Sequence, residues 1–212
     1  MKNIILYGAP AAGKGTQCEM LKNRYGYKHI SMGQIFRDLD DSTDFNRKIH
    51  DMINAGILID DVTTTELLKN KLGDLKVGPI VLDGFPRNLN QAKLLDEFFS
   101  DYIVINLDIN EDIALKRALG RLNCSSCGKI YNIYFQDTAP IVADKCDVCG
   151  ATLVGRKDDN EESFKNRFNI YLDNVKDILD YYEDKNILYR VNSENAEKTF
   201  LEVEKILNGG DY

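Results

Sequence analysis

The chain has 212 residues, 43% of them hydrophobic, and a formal net charge of −7. That length allows one large domain, or one domain with insertions, around a real core. The acidic balance argues against a nucleic-acid or membrane partner and requires any bound anion to be held by a local cluster of cations. There is no apolar run of about 18 residues and no leader pattern at the start, so a cytoplasmic protein is expected, and a monomer.

In chain order, Ile4, Ile5, Leu6 and Tyr7 form the unbroken apolar run of a buried parallel strand. A glycine-bearing loop follows, then a helix from about Gly13 to Tyr25 and a short strand at 28–31. Residues 31–60 are more polar and helical, with Gly56 as a plausible helix end. The stretch from Asp60 and Asp61 through the threonine cluster leads into another helix. Gly78-Pro79 breaks the chain before the strand Ile80-Val81-Leu82, and a third strand covers 102–107. A helix then runs through Leu119. Residues 122–155 change character to short alternations and turns, and read as a small β insertion. A long charged helix over about 159–185, a strand at 187–191 and a last helix close the chain. Strands alternating with helices indicate an α/β fold, a doubly wound parallel sheet of five strands with two inserted subdomains. The expected division is a core of 1–30, 61–121 and 160–212, a subdomain of 31–60 and a lid of 122–159.

The loop after the first strand is Gly8-Ala9-Pro10-Ala11-Ala12-Gly13-Lys14-Gly15-Thr16. This is G-x-x-x-x-G-K between a strand and a helix, the context in which backbone N–H groups and a helix N-terminus cradle a polyphosphate. Lys14 supplies a point charge for the terminal phosphates, and the Thr16 hydroxyl can serve Mg²⁺. Gly15, between lysine and threonine, departs from the general pattern. Ala11 stands where the loop usually has glycine, which is tolerable if its φ is negative. The strand 80–82 ends in Asp83-Gly84-Phe85-Pro86-Arg87, which places a carboxylate where it can hold Mg²⁺ and an arginine in the same crevice.

These segments, with Ser31-Met32-Gly33-Gln34-Ile35-Phe36-Arg37, Gln91, Gly120-Arg121, and Gly155-Arg156-Lys157-Asp158-Asp159 with Arg167, resemble the adenylate kinases of the long type with a zinc-bearing lid. The resemblance covers essentially the whole chain. It implies reversible phosphoryl transfer from MgATP to AMP giving two ADP, with ATP, AMP and ADP as the partners. It also implies a subdomain for the monophosphate and a lid that closes over ATP. The chemistry agrees with the residues. The acceptor is already an anion, so no general base is needed, which suits a chain with two histidines. Bidentate cations are needed instead.

Six of the nine arginines fall on family positions. By resemblance, Arg37 and Arg87 hold the AMP phosphate. Arg121 and Arg156 reach the transferring phosphates from the lid, Arg167 bridges both nucleotides, and Arg117 covers the ATP adenine. Singly, each arginine reads more readily as part of a solvated helix face than as a ligand, and Arg117 and Arg121, four apart, share one. The catalytic set is then Lys14, Arg37, Asp83, Arg87, Arg121, Arg156, Asp158, Asp159 and Arg167. Asp158 and Asp159 either pair with lid arginines or cap the next helix. The ATP site takes Ala11, Ala12, Gly13, Lys14, Gly15, Thr16, Arg117, Arg121, Ile130, Tyr131 and Asn195, with Tyr131 near the base. The AMP site takes Met32, Arg37, Ile57, Leu58, Ile59, Gly84, Phe85, Pro86, Arg87, Gln91, Arg156 and Arg167, with Gln91 reading the adenine edge. Met32 and Gln34 replace the family's usual threonine and aspartate. This bears on acceptor choice and rate rather than on reaction class.

Cys124-x-x-Cys127 and Cys146-x-x-Cys149, each followed by glycine, have the spacing of a closed four-thiolate site for structural Zn²⁺. Disulfides and a nucleic-acid zinc ribbon are the alternatives, the latter disfavoured by the aspartates between the pairs. Cys18 reads as a packing residue, and His29 and His50 as structural or surface residues. Two other functions compete: a kinase for UMP, CMP or GMP, and a P-loop ATPase with a zinc-ribbon partner-binding insertion.

Overall fold

The computed structural model describes residues 1–73 and 78–209. The expected core segments 61–121 and 160–212 include 74–77 and 210–212, which lie outside the described residues. The central sheet is built from β1 (Asn3–Gly8), β2 (Lys28–Ser31), β3 (Ile80–Asp83), β4 (Tyr102–Asp108) and β8 (Leu188–Asn192). All pairs are parallel, in the order β2-β3-β1-β4-β8. A central strand in a parallel sheet is covered on both faces, so Ile4, Ile5 and Leu6 are all buried. The period of two sends Ile4 and Leu6 to one core, and Ile5 and Tyr7 to the other.

The first core lies under α1 (Lys14–Tyr25), α6 (Glu111–Leu119) and α8 (Ala196–Leu207). The second lies under α2 (Met32–Arg37), α3 (Asp44–Asn54), α4 (Asp61–Gly73) and α5 (Leu89–Asp96). The long helix α7 (Glu161–Asp184) contributes Phe164 and Phe168 to the first and Ile178, Leu179 and Tyr182 to the second. Polar side chains set the helix starts: Thr43, Asn88, Asn110 and Asn160 each accept from a backbone N–H of the first turn. Asn160, not Asp158 or Asp159, caps α7. At the other end of β1, Gly8 has φ 134, and a Cβ there would come within 2.6 Å of the Leu107 carbonyl oxygen. The strand therefore leaves the sheet at a residue that only glycine can fill without moving β4.

A second, antiparallel sheet interrupts this pattern: β5 (Arg121–Cys124), β6 (Ile130–Asn132) and β7 (Leu153–Val154), in the order β6-β5-β7. Arg121 therefore lies on a strand. The helix bearing Arg117 stops at Leu119, with Gly120 as its C-cap, so the two arginines do not share a helix face. The chain reverses at two knuckles of matching form, where Gly128 N–H donates to Cys124 O and Gly150 N–H to Cys146 O. The small sheet is tied to the core where Asn132 Nδ2 donates to Arg117 O (2.8 Å).

Candidate active site

The loop between β1 and α1 opens at the C-terminal edge of the sheet, between strands whose connections diverge to opposite sides. Gly13 and Ala11 are left-handed, at φ 89 and φ 58. The condition set for Ala11, a negative φ, is therefore not met: the loop keeps its glycine-type geometry and imposes it on an alanine. The Lys14 ammonium donates to Gly8 O and Ala9 O, each at 2.8 Å. Burial holds Lys14 down to about 8, with Asp83 opposing and Arg87 and Arg121 reinforcing the shift.

Two cavities meet here. The smaller, about 190 Å³, is lined by Arg37, Ile57, Leu58, Ile59, Gly84, Pro86, Arg87, Gln91, Arg156, Asp158 and Arg167, all expected from sequence. Phe36, Ile53, Thr64 and Tyr171 also line it, and were not expected. The larger, about 720 Å³, is lined by residues 11–17, Arg117, Ile130, Tyr131 and Asn132, and by the unexpected His29, Phe135, Ser193 and Glu194. Ala11, Lys14, Ser31, Arg37, Asp83, Arg121 and Arg156 line both. The wall between the cavities is thus mostly charged.

Two arginines on and beside that wall are paired with carboxylates. Arg121 donates to Asp159 through Nε at 2.7 Å and again through Nη2. Arg167 donates to Asp158 Oδ2 at 2.9 Å and to Asp158 O at 2.7 Å. Burial would lower Arg121, but Asp159 outweighs it and the guanidinium is held above its ordinary value. Among the described residues, no carboxylate lies at hydrogen-bond distance from Arg156. Burial, then Arg121 and Arg37, bring it down to about 10, while it donates to Asn123 at 3.1 Å. Burial would raise Asp83, but His29, Lys14 and Arg87 together hold the carboxyl below its ordinary value. An ionised carboxylate and the Thr16 hydroxyl are oxygen donors of the type that Mg²⁺ takes.

Gln91 is buried, yet it lines the smaller cavity. Its Oε1 accepts from Arg87 N and its Nε2 donates to Asp61, both at 2.8 Å. Each amide group thereby keeps one bonding position, an N–H and a lone pair, and its orientation is fixed by Asp61. Asp61 is held in turn by Asn88 and Asn90.

Several expected residues fall elsewhere. Met32 and Phe85 are 0% and 1% exposed, are packed into the second core, and line neither cavity. Met32 opens α2 and Phe85 lies in the loop after β3, and both side chains turn into that core rather than into a cavity. Asn195 caps α8, accepting from Lys198 N at 3.0 Å, while its neighbours Ser193, Glu194 and Ala196 line the larger cavity. Asp159 is buried behind Arg121 and lines neither cavity. Tyr131, expected beside the base, does line the larger cavity, but it directs its hydroxyl to Cys146 Sγ (3.3 Å) and accepts from Asp147 N. The aromatic ring that faces Arg117 is Phe135, 5.7 Å from the guanidinium carbon. Arg117 itself is anchored to the carbonyls of Ser193 and Glu194 at 2.7 and 2.8 Å.

The four paired cysteines come together, their sulfurs all within 4.8 Å of one another. Cys124 and Cys149 approach to 3.4 Å, and Cys127 and Cys146 to 3.6 Å. All four are free thiols. A tetrahedral ion with Zn–S bonds of about 2.3 Å separates its sulfurs by about 3.8 Å, so the cluster is compatible with zinc.

A P-loop, a shared cationic wall and a cavity on either side of it define a phosphotransferase acting between two nucleotides. The comparisons narrow the class. The family model described as adenylate kinase matches residues 6–187. The adenylate kinase of Listeria monocytogenes is 38% identical over 213 residues, covering 96% of this chain and 98% of its own. That of Thermosipho melanesiensis is 37% identical, covering 97% and 99%. That of Rickettsia conorii is 39% identical, covering 96% and 98%. The chain belongs to the adenylate kinase family. It is a nucleoside monophosphate kinase that moves a phosphoryl group between ATP and AMP, giving two ADP. Among the described residues, no helix is long and apolar enough to cross a membrane.

Proposed function

We propose that the larger cavity takes ATP, the smaller takes AMP, and the shared wall carries the transfer. One observation supports this most: seven residues, four of them cationic side chains, line both cavities. Transfer of a phosphoryl group through a loose transition state spreads charge over its oxygens, and fixed cations at the meeting point stabilise that charge. Lys14 and the loop N–H groups hold the donor phosphates. Arg37 and Arg87 hold the acceptor phosphate, Arg121 and Arg156 meet the group in flight, and Arg167 bridges the two. Asp83 and Thr16 would hold Mg²⁺, which neutralises donor-phosphate charge when bound. Arg117 and Phe135 flank the donor base. Gln91 offers its remaining N–H and lone pair to adenine N1 and N6 between Ile57, Leu58 and Ile59.

Residues 122–159 act as a lid that excludes water, so that ATP is not lost to hydrolysis. Residues 31–60 form the acceptor subdomain, and 1–30, 61–121 and 160–212 the core. Cys124, Cys127, Cys146 and Cys149 hold structural Zn²⁺, with no open coordination position for chemistry. The protein works as a cytoplasmic monomer without nucleic-acid partners. The test is a coupled assay of ATP with each monophosphate in turn. ADP formation with AMP, and little with UMP, CMP or GMP, is expected. Turnover with UMP but not AMP would overturn the assignment of the smaller cavity.

A further inference from the structure

The P-loop helix carries a second group of metal-ligating side chains. The Cys18 sulfur, a His29 ring nitrogen and an Asp83 carboxylate oxygen all lie within 4.8 Å of one another. The fold assembles them from three elements. On α1, Cys18 follows Lys14 by one helical turn, which places it beneath the loop. On the adjacent strands, Ser31 stands opposite Asp83, and His29 lies two residues before Ser31. His29 and Asp83 therefore project from the same face of the sheet, with His29 Nε2 3.8 Å from Asp83 Oδ2. Cys18 is fully buried, whereas His29 and Asp83 both line the larger cavity. The thiol forms the floor of the group, and the imidazole and carboxylate form its rim.

We propose that Cys18, His29 and Asp83 bind a thiophilic divalent cation, zinc in the first instance, at a site separate from the four-cysteine cluster. The donor set selects the metal. Sulfur and imidazole nitrogen suit zinc, whereas Mg²⁺ takes oxygen donors and would leave two of the three unused. Three protein ligands leave a tetrahedral ion one open position, and here that position faces the cavity. Zn–S bonds of about 2.3 Å and Zn–N and Zn–O bonds of about 2.0–2.2 Å place donors about 3.3–3.8 Å apart. The His29–Asp83 pair, at 3.8 Å, is within about 0.5 Å of the nitrogen–oxygen separation, and the separations to the Cys18 sulfur require a contraction of at most about 1.3 Å. Lys14, Arg87 and Arg121 are the cations acting on this corner, and the Lys14 ammonium is turned away onto Gly8 O and Ala9 O.

Occupation of the site inhibits transfer, because it takes the carboxylate that Mg²⁺ would use and places a tightly held ion under the donor phosphates. This second consequence rests on the role given to Asp83 above; the binding does not. The test starts from protein with the lid cluster filled, one zinc per chain by elemental analysis. After equilibrium dialysis against excess zinc, the wild-type chain should carry two zinc ions, and Cys18→Ala and His29→Gln one. Since His29 is partly exposed, its variant reports on the site without disturbing the core. With Mg²⁺ alone, Cys18→Ala should turn over as the wild type does, and should tolerate at least about tenfold more zinc, the least expected from loss of a ligand. A wild-type chain that stops at one zinc, or a Cys18→Ala chain that still takes two, overturns the site. Two zinc ions in the wild type and one in each variant, with transfer unaffected by zinc, would uphold the site and overturn the role of Asp83 instead.

Discussion

Ala11 is the residue at which sequence and geometry conflict most directly, and replacing it with glycine measures the conflict. Its φ of 58 lies in the left-handed region, which costs an L-residue with a Cβ about 1–2 kcal/mol relative to right-handed backbone. Ala11→Gly returns that strain. Glycine also has more freedom in the unfolded chain, which takes back about 0.4–1 kcal/mol. The net expectation is a stabilisation of about 0.5–1 kcal/mol, since the loop conformation is fixed by its neighbours and does not relax around the methyl group. For a chain of this size that corresponds to a rise in Tm of about 1–4 °C. Circular dichroism melts of the two proteins, both with the lid cluster loaded, read it directly. An unchanged or lower Tm would show that the alanine Cβ makes contacts worth at least as much as the strain, and would refute the reasoning.

Lys14 gives a pH dependence with a defined sign. Its folded-state value of about 8 lies below the ordinary 10.5, so between the two the unfolded chain binds more protons, and the Lys14 contribution to stability rises with pH. For binding the sign is reversed: the KM for ATP should climb above about pH 8 as the ammonium is lost, while kcat at saturation holds to higher pH. A KM flat through pH 9.5 would count against it. Chelation of zinc, or Cys127→Ser, should lower the melting temperature and release about one equivalent of metal, and elemental analysis showing no metal in the purified protein would refute this. Asp158→Asn breaks a largely buried pair with Arg167 and should cost about 3 kcal/mol by urea unfolding, the low end for such pairs because Arg167 keeps the Asp158 carbonyl. A loss below about 1 kcal/mol would mean that the pair is effectively solvated.

The sequence was most legible where backbone geometry dictates residue type or where chemistry dictates spacing. A strand entering a phosphate loop needs the glycines at 8 and 13, and four thiolates around one ion come as two short pairs, so both were visible without a structure. The five-strand sheet was equally visible, because parallel strands buried on both faces read as unbroken apolar runs. What could not be read was direction. Met32 and Phe85 belong to motif segments, but nothing in a linear motif says which of two faces a side chain takes. Tyr131 lies on β6, where it stands opposite Leu122 and reaches Cys146, whereas Phe135 lies in the turns after β6 and faces Arg117; four positions of separation in the sequence do not reveal that division. The support of Gln91 by Asp61 spans 30 positions. The faint local signal for it was Asn88 and Asn90 beside Gln91, two more amides that needed an acceptor.

The pairing of the arginines carries the argument one step further. Arg121 and Arg167 are satisfied by Asp159 and Asp158, whereas among the described residues Arg156 has no such partner, and burial and its neighbours hold its charge down. On the proposed assignment, a phosphate in transfer therefore meets unequal cations, Arg121 and Arg156 on the shared wall and Arg167 in the smaller cavity beside it. Binding it to Arg156 relieves repulsion among guanidinium groups, and binding it to Arg121 or Arg167 competes with a carboxylate in place. The first term favours a polyanion wherever it sits. The second offsets the gain unless the incoming group makes charge-assisted bonds at least as good as those it displaces, and a phosphoryl group carrying charge on all its oxygens in transfer does so better than one at rest. On the proposed assignment the two aspartates weaken ground-state binding more than they weaken stabilisation of the transfer, a difference that would favour turnover over affinity.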